Sequence, residues 1–171
     1  TFSNFGRSPR ANLAALVDAI NTLAFPIDFV LHTGDVAEDR SEAAYRAAGD
    51  IFERLGLPIH FVAGNHDDAD LLQKVLLKRR STLPRLDYDF TADGMRVSIF
   101  DSRGPSDPAG TLLDEQLAAL RALCSPQGPP LVIAIHHPPL PLDSEWLDNG
   151  WSTPTGHTTT MLLDRGPEFL E

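Results

Sequence analysis

Three apolar stretches of the chain each lead into side chains that can bind a metal ion or carry a proton. Asp35 follows the first stretch, Asn65 and His66 follow the second, and His136 follows the third. Ligands of layered α/β proteins bind beyond the carboxyl ends of strands, so we expect these side chains to share one site. A carboxylate, an amide oxygen and an imidazole together suit Mn, Fe, Zn or a similar divalent cation.

Each of these residues also has an ordinary structural explanation. Asp35 after Gly34 is typical of a turn, and Asn65 after Gly64 is typical of a left-handed backbone position. His136 can equally be interpreted as a buried, hydrogen-bonded histidine. The occurrence of all three at the ends of apolar stretches favours a metal site over three separate structural roles.

The elements that position these residues are predicted from caps and apolar spacing. Ser8 and Pro9 begin a helix whose apolar spacing continues to about Ala24. Asp39 with Glu42 has the spacing of a capping box for a second helix. Both helices flank the stretch that ends at the first candidate ligand, as expected for a strand covered by helices.

The remainder of the chain continues the alternation of helices and strands. A third helix is predicted to start near Asp68, and Thr111 with Asp114 caps a fourth that runs to about Cys124. Asp93-Gly94 is a strong hairpin signal, so the sheets are not purely parallel. Strands are predicted at residues 27–33, 58–62, 86–91, 95–100 and 131–135. The pattern predicts an α/β fold with mixed sheets.

Length and charge limit the classes of partner. The 171 residues fit one domain with a substantial core, and the net charge is −10. This charge argues against a nucleic-acid backbone or an anionic membrane as the main partner. A phosphate substrate is still compatible with it, because bound divalent cations can reverse the local field. The chain has no apolar run of 18 residues, so no transmembrane helix is expected.

The single cysteine, Cys124, excludes a disulfide within the chain and indicates a reducing compartment. We therefore expect a cytoplasmic location. Cys124 falls in an apolar helical pattern with Leu117 and Leu120, which predicts a buried structural thiol.

Three motifs in this order resemble the calcineurin-like metallophosphoesterase superfamily. They are Gly34-Asp35, Gly64-Asn65-His66-Asp67 and His136-His137-Pro138-Pro139. Two further segments resemble the cyclic-nucleotide phosphodiesterase branch of this superfamily. They are Asp101-Ser102 followed by Gly110 and Gln116-Leu117, and Trp146-Leu147-Asp148. The resemblance implies a four-layer α/β/β/α sandwich of mixed sheets. Residues 1–171 are then a single metallophosphoesterase domain, incomplete at both ends.

The resemblance also implies an activity and roles for the candidate residues. The activity is metal-dependent hydrolysis of phosphodiesters, with 3′,5′-cyclic nucleotides as leading substrates, by attack of a metal-bridging hydroxide. Asp35 would bridge two metals (Mn, Fe or Zn), and Asn65 with His136 would bind the second. His66 would be the catalytic group that stabilises the transition state or protonates the leaving oxygen. His137 is expected to support a ligand from behind or to be structural.

Two outer motifs of the family are not found in this chain. No Asp-x-His motif precedes Asp35, and the one Gly-His candidate, at His157, lacks the second histidine and is interpreted as a loop residue. One metal or none is therefore expected here, and this piece by itself is expected to have little activity. Glu38 stands where the family often has an aspartate that supports the catalytic histidine.

Two other functional classes stay open at this point. One is a degenerate relative that acts as a non-catalytic binding or regulatory module, and the other is a structural α/β domain with no metal. The expected partner is a small-molecule phosphodiester, with no nucleic-acid backbone and no membrane. A homo-oligomer is left open, because a missing first strand would expose a sheet edge.

Overall fold

The computed structural model describes residues 8–105, 108–140 and 161–171. The chain divides into two compact units. The first comprises Thr1–Phe61 with His66–Pro84, and the second comprises Val62–Asn65 with Arg85–Glu171. The sequence-based prediction of a single domain stays a prediction.

The first unit is built around a strand–helix–strand crossover. Strands β1 (Val30–His32) and β2 (Ile59–Phe61) pair in parallel, with Leu31 opposite His60. A parallel pair needs a crossover connection, which helix α2 (Glu42–Phe52) and a 3₁₀ turn (Glu53–Leu55) supply. The remaining elements are α1 (Pro9–Asn21), the short α3 (Ala69–Leu71) and a π-helical turn (Leu72–Leu76).

The helix starts of this unit confirm the predicted cap at Ser8 and the predicted helix start near Asp68, and they correct the predicted cap of α2. The Ser8 hydroxyl accepts the backbone N–H of Ala11, and the Asp68 carboxylate accepts the N–H groups of Asp70 and Leu71. The predicted cap of α2 at Asp39 was wrong. Ser41 is the cap, accepting Ala44 N–H at 3.1 Å, while Asp39 accepts the N–H of Ser41 in the turn before it.

Helix α1 is shorter and less buried than its apolar spacing predicts. It ends at Asn21 rather than near Ala24, and Val17 is its buried residue. Leu16 and Leu23 are about half exposed. Most of the core of this unit instead lies around α2, β2 and the π-helical turn, where the large buried side chains include Tyr45, Ile51, Phe52, Leu55, Phe61 and Leu72.

The second unit holds a mixed sheet. Strands β3 (Tyr88–Ala92) and β4 (Met95–Ile99) form an antiparallel hairpin, and β5 (Leu131–Ala134) pairs in parallel with β4. Asp93 and Gly94 have φ angles of 47° and 74°, as a type I′ turn requires, so the hairpin prediction is confirmed.

Two helices complete the described part of the second unit, α4 (Asp114–Leu123) and α5 (Gly166–Leu170). The predicted Thr111–Asp114 cap of α4 was wrong, because the Gln116 side chain accepts the N–H of Leu113 instead. Helix α4 packs Leu117 and Leu120 into a core with Phe100, Leu112 and Leu163.

Cys124 is exposed, which corrects the prediction of a buried thiol. It follows the last residue of α4, so its side chain lies past the helix face that packs into the core.

The α/β fold class is confirmed: the described residues form helices with one parallel sheet and one mixed sheet. Within residues 8–105, 108–140 and 161–171, no helix has the length and apolarity needed to cross a membrane.

Candidate active site

Asp35 has an uncommon backbone conformation in the turn that follows β1 and Thr33. Gly34 and Asp35 have φ angles of 113° and 57°, and a left-handed aspartate is uncommon outside tight turns and functional sites. The Asp35 carboxylate is exposed and accepts the backbone N–H of His66 at 3.0 Å. The first unit therefore brings the predicted bridging ligand and the predicted catalytic histidine together.

The buried carboxylate of Asp67 holds the Asp35 turn in place. It accepts the N–H groups of Asp35 and Val36 at 2.8 and 2.9 Å, and the Tyr45 hydroxyl at 2.9 Å. The Tyr45 oxygen in turn accepts Asp68 N–H at 2.8 Å. A carboxylate that is 3% exposed must be compensated by such donors, because an unpaired buried charge is costly.

Burial is also the main reason that the pKa of the Tyr45 phenol is raised above its usual value, and the negative charge of Asp67 raises it further. The hydroxyl therefore keeps its proton and serves as a donor to Asp67. Sequence analysis missed this role. The signal was a tyrosine on the buried face of α2, where its hydroxyl needs a partner.

His66 is contacted by side chains of the loop that follows Asp35. Its Nδ1 lies 3.2 Å from a Glu38 carboxylate oxygen, and its backbone carbonyl accepts the Arg40 guanidinium at 3.3 Å. A carboxylate only accepts, so Nδ1 carries a proton and Nε2 is the nitrogen that can exchange one with a ligand. The ring is about one third exposed (34%), so a small molecule can reach it.

Asn65 and His136 meet in the second unit. The Oδ1 atom of Asn65 lies 3.1 Å from Nε2 of His136, although the two residues are 71 positions apart in the chain. The His136 ring packs edge-on against His137, with centroids 5.0 Å apart and planes at 87°. His137 is 2% exposed, so its ring is buried beside His136.

The site residues are thus distributed in two pairs, Asp35 with His66 in the first unit and Asn65 with His136 in the second. His157 and Trp146-Leu147-Asp148 lie outside the described residues.

A divalent cation is implied by this donor set. No group of three or more His, Cys, Asp or Glu side chains that could hold a metal ion occurs in the described ranges. The Asn65–His136 pair nevertheless fits a cation. Two ligands about 2.1 Å from a metal and at right angles to each other lie about 3.0 Å apart, close to the observed 3.1 Å.

Comparison with known proteins identifies the family of this constellation. The family described as Calcineurin-like phosphoesterase matches residues 8–167. A cAMP/cGMP dual specificity phosphodiesterase of Mycobacterium tuberculosis is 33% identical over 134 residues, which cover 75% of this chain and 42% of that protein. A 3′,5′-cyclic adenosine monophosphate phosphodiesterase of Pseudomonas aeruginosa is 34% identical over 123 residues, covering 71% of this chain and 44% of that protein.

A third relative, the glycerophosphodiester phosphodiesterase of Enterobacter lignolyticus, is 28% identical over 94% of this chain and 59% of its own length. The chain spans about half the length of the curated relatives it matches. The expected resemblance to the cyclic-nucleotide phosphodiesterase branch is confirmed. On the extent of the family match and the order of its motifs, this chain belongs to the calcineurin-like phosphoesterase family.

Proposed function

We propose that the protein is a metal-dependent phosphodiesterase whose leading substrates are 3′,5′-cyclic nucleotides. The names of the cyclic-nucleotide relatives support this substrate class. Glycerophosphodiesters are the competing substrates, since one relative is named for them. The expected partner is thus a small-molecule phosphodiester, and the net charge of −10 is compatible with it once cations are bound.

In this proposal Asp35, Asn65 and His136 hold divalent metal, with Mn, Fe or Zn suited to the donor types. A bound cation supplies Lewis-acid charge at a phosphate oxygen and makes a neighbouring water more acidic. The contribution of the protein is to fix donors in place before the substrate arrives. The Asp67 carboxylate does this for Asp35 by holding the N–H groups of the turn.

His66 acts on the leaving oxygen in this proposal. With Nδ1 paired to Glu38, its Nε2 can carry a proton to an alkoxide as the phosphorus–oxygen bond breaks. Glu38 also stabilises positive charge on the ring while that proton is held. In this proposal Glu38 supports His66 from the position where the family often has an aspartate.

The observation that carries the proposal is the 3.1 Å approach of Asn65 Oδ1 to His136 Nε2. It is tested by calorimetric titration with Mn²⁺ and by hydrolysis of bis(p-nitrophenyl) phosphate in the presence of Mn²⁺. Replacing either ligand, as in Asn65→Ala or His136→Ala, is expected to raise the Mn²⁺ Kd by more than about tenfold and to lower kcat in parallel.

His60→Gln is the matched control for these variants. His60 is half-buried on β2, where it packs edge-on against Phe29 at 5.8 Å, so its loss should leave Mn²⁺ affinity within about twofold of the parent. Equal heats of Mn²⁺ binding for the parent and His136→Ala would contradict the metal site. Mn²⁺ binding without hydrolysis by the complete protein would contradict the catalytic part and favour a binding module.

The substrate class is tested separately by a competition assay. Cyclic AMP, cyclic GMP and glycerophosphoethanolamine are compared by kcat/KM under the same Mn²⁺ concentration. A higher kcat/KM for glycerophosphoethanolamine than for either cyclic nucleotide would overturn the substrate assignment.

A further inference from the structure

Ser102 and His137 form a buried polar pair that the proposed chemistry does not use. Ser102 is fully buried and His137 is 2% exposed. The Ser102 hydroxyl oxygen lies 2.8 Å from His137 Nδ1, and the other ring nitrogen, Nε2, lies 3.1 Å from the carbonyl oxygen of Pro108. Both ring nitrogens are thus engaged inside the second unit.

These partners determine the tautomer of the ring. The Pro108 carbonyl can only accept, so Nε2 of His137 carries a proton and donates to it. In the neutral ring Nδ1 is then an acceptor, and the Ser102 hydroxyl donates a hydrogen bond to it. The Ser102 oxygen accepts the backbone N–H of His137 at 3.3 Å, which makes the arrangement reciprocal.

Gly110 provides the space in which the His137 ring lies. A Cβ atom at this position would be 2.2 Å from Cγ of His137 and 2.5 Å from its Nδ1, so any side chain would displace the ring. The backbone of Gly110 is itself held, because its N–H donates to Leu162 and its carbonyl accepts from Asp164. The ring therefore has a fixed wall on this side.

The orientation of His137 bears on the adjacent residue, His136. The two rings pack edge to face with centroids 5.0 Å apart, and His136 Nε2 reaches Asn65. Edge-to-face packing depends on ring angle, so rotation of His137 would change the surface against which His136 rests.

We propose that Ser102 is a positioning residue for His136, acting through the tautomer and orientation of His137. The proposal rests on the function proposed above insofar as His136 is a metal ligand. Residues that orient a ligand change metal affinity by about 10-fold to 100-fold when they are removed. Ser102 thereby gives a physical role to the Asp101-Ser102 and Gly110 motif that sequence analysis had noted as a resemblance.

The test compares Ser102→Ala with Ser98→Ala. Ser98 is an equally suitable serine on β4, 2% exposed, whose hydroxyl oxygen has no hydrogen-bond partner among the described residues. The first readout is the ¹⁵N spectrum of the imidazole rings in metal-free protein. Ser102→Ala is expected to shift the signals of His137 Nδ1 and of His136 Nε2, and Ser98→Ala to leave both in place.

The second readout is the Mn²⁺ Kd from calorimetry, which is expected to rise about tenfold in Ser102→Ala and to stay within about twofold in Ser98→Ala. If Ser102→Ala does not fold, Ser102→Cys replaces it, since a thiol keeps the volume but donates weakly. A cysteine is then expected to shift the same ring signals in the same direction.

The two proposals fail in different ways. Absence of Mn²⁺ binding by the parent protein would overturn the proposed metal site, while the ring signals would still decide the role of Ser102. Unchanged His136 signals in Ser102→Ala, or equal changes in both serine variants, would overturn the positioning role.

Discussion

Glu38 contacts His66 although its side chain is longer than that of the aspartate expected at this position. Glu38 is 63% exposed, yet one of its oxygens lies 3.2 Å from Nδ1 of His66. The side chain of glutamate is one methylene longer than that of aspartate, and its carboxylate reaches the ring from the loop after Asp35. An exposed pair contributes little to stability, so the value of this contact lies in orienting the ring.

Glu38→Gln is therefore expected to lower kcat for bis(p-nitrophenyl) phosphate by about tenfold while KM and stability stay nearly unchanged. The amide oxygen can still accept from Nδ1, but it no longer stabilises a charged ring. Glu53→Gln is the control, because Glu53 pairs with Lys78 away from His66. An unchanged kcat in Glu38→Gln would remove Glu38 from the mechanism.

Tyr45 supplies the buried Asp67 carboxylate with a side-chain donor. Tyr45→Phe keeps the buried ring. It removes the hydrogen bond that the hydroxyl donates to Asp67 and the one that it accepts from Asp68 N–H. We expect the free energy of unfolding to fall by about 1–3 kcal/mol, measured by urea denaturation. A loss below about 0.5 kcal/mol would show that the turn donors satisfy Asp67 without the phenol.

At the scale of the elements, the β3–β4 hairpin depends on one turn. Gly94 has a φ of 74°, and a Cβ atom there would meet nothing within 4 Å. Gly94→Ala should therefore cost stability through backbone strain alone, by about 1 kcal/mol in urea denaturation.

Gly128→Ala is the comparison for this turn. A Cβ atom at Gly128 would lie 3.2 Å from the Ser125 carbonyl oxygen, and its backbone is not left-handed, so crowding rather than strain is tested there. If Gly94→Ala caused no loss of stability, or if the loss came with disappearance of the hairpin's cross-strand NMR contacts, backbone strain alone would not explain the effect of Gly94→Ala.

A buried polar network joins several elements of the second unit. Asp87, the residue before β3, accepts Asp101 N–H at 2.7 Å and the Gln116 amide of α4 at 2.9 Å. Asp101 in turn accepts the N–H of Leu86 and the guanidinium of Arg103. These bonds connect the loop after β4 to helix α4 and to the residues that precede β3.

Burial raises the pKa of the Asp87 carboxyl above its ordinary value of 3.8, and the bonds from Asp101 and Gln116 oppose this only in part. Between 3.8 and the raised value, the folded protein binds more protons at Asp87 than the unfolded chain. The contribution of Asp87 to stability therefore falls as the pH rises through this window and is constant above it.

Asp87→Asn isolates this contribution. The free energy of unfolding of the parent minus that of the variant is expected to decrease as the pH rises above 3.8, and to level off above the raised pKa of Asp87. Urea denaturation of both proteins across this range provides the measurement. A difference that increases with pH would mean that the network lowers the pKa of Asp87 instead.

At the scale of the whole molecule, sequence patterns identified the class of fold and the positions of its strands. They also identified the motif residues, because glycine and polar side chains after apolar strands are local features. Asp93-Gly94 could be predicted for the same reason, since a type I′ turn needs two residues with positive φ. The four candidate site residues, Asp35, Asn65, His66 and His136, were all accessible to this reasoning.

Only the tertiary structure decided which of several candidate groups caps a helix and where each helix ends. Ser41 rather than Asp39 caps α2. Both side chains carry an oxygen that can accept a backbone N–H, and the backbone conformation places the Ser41 oxygen at the helix start. Cys124 lies outside the core since α4 ends at the preceding residue. Periodicity cannot locate such endpoints, because it is a property of the helix interior.

The same distinction applies to the site. The sequence by itself determined which donors follow the strands, and family membership follows from their order. Only the folded structure decided that Asn65 meets His136, that Glu38 reaches His66, and that Ser102 engages His137. These contacts join residues far apart in the chain or depend on side-chain reach, and both are set by packing rather than by local propensity.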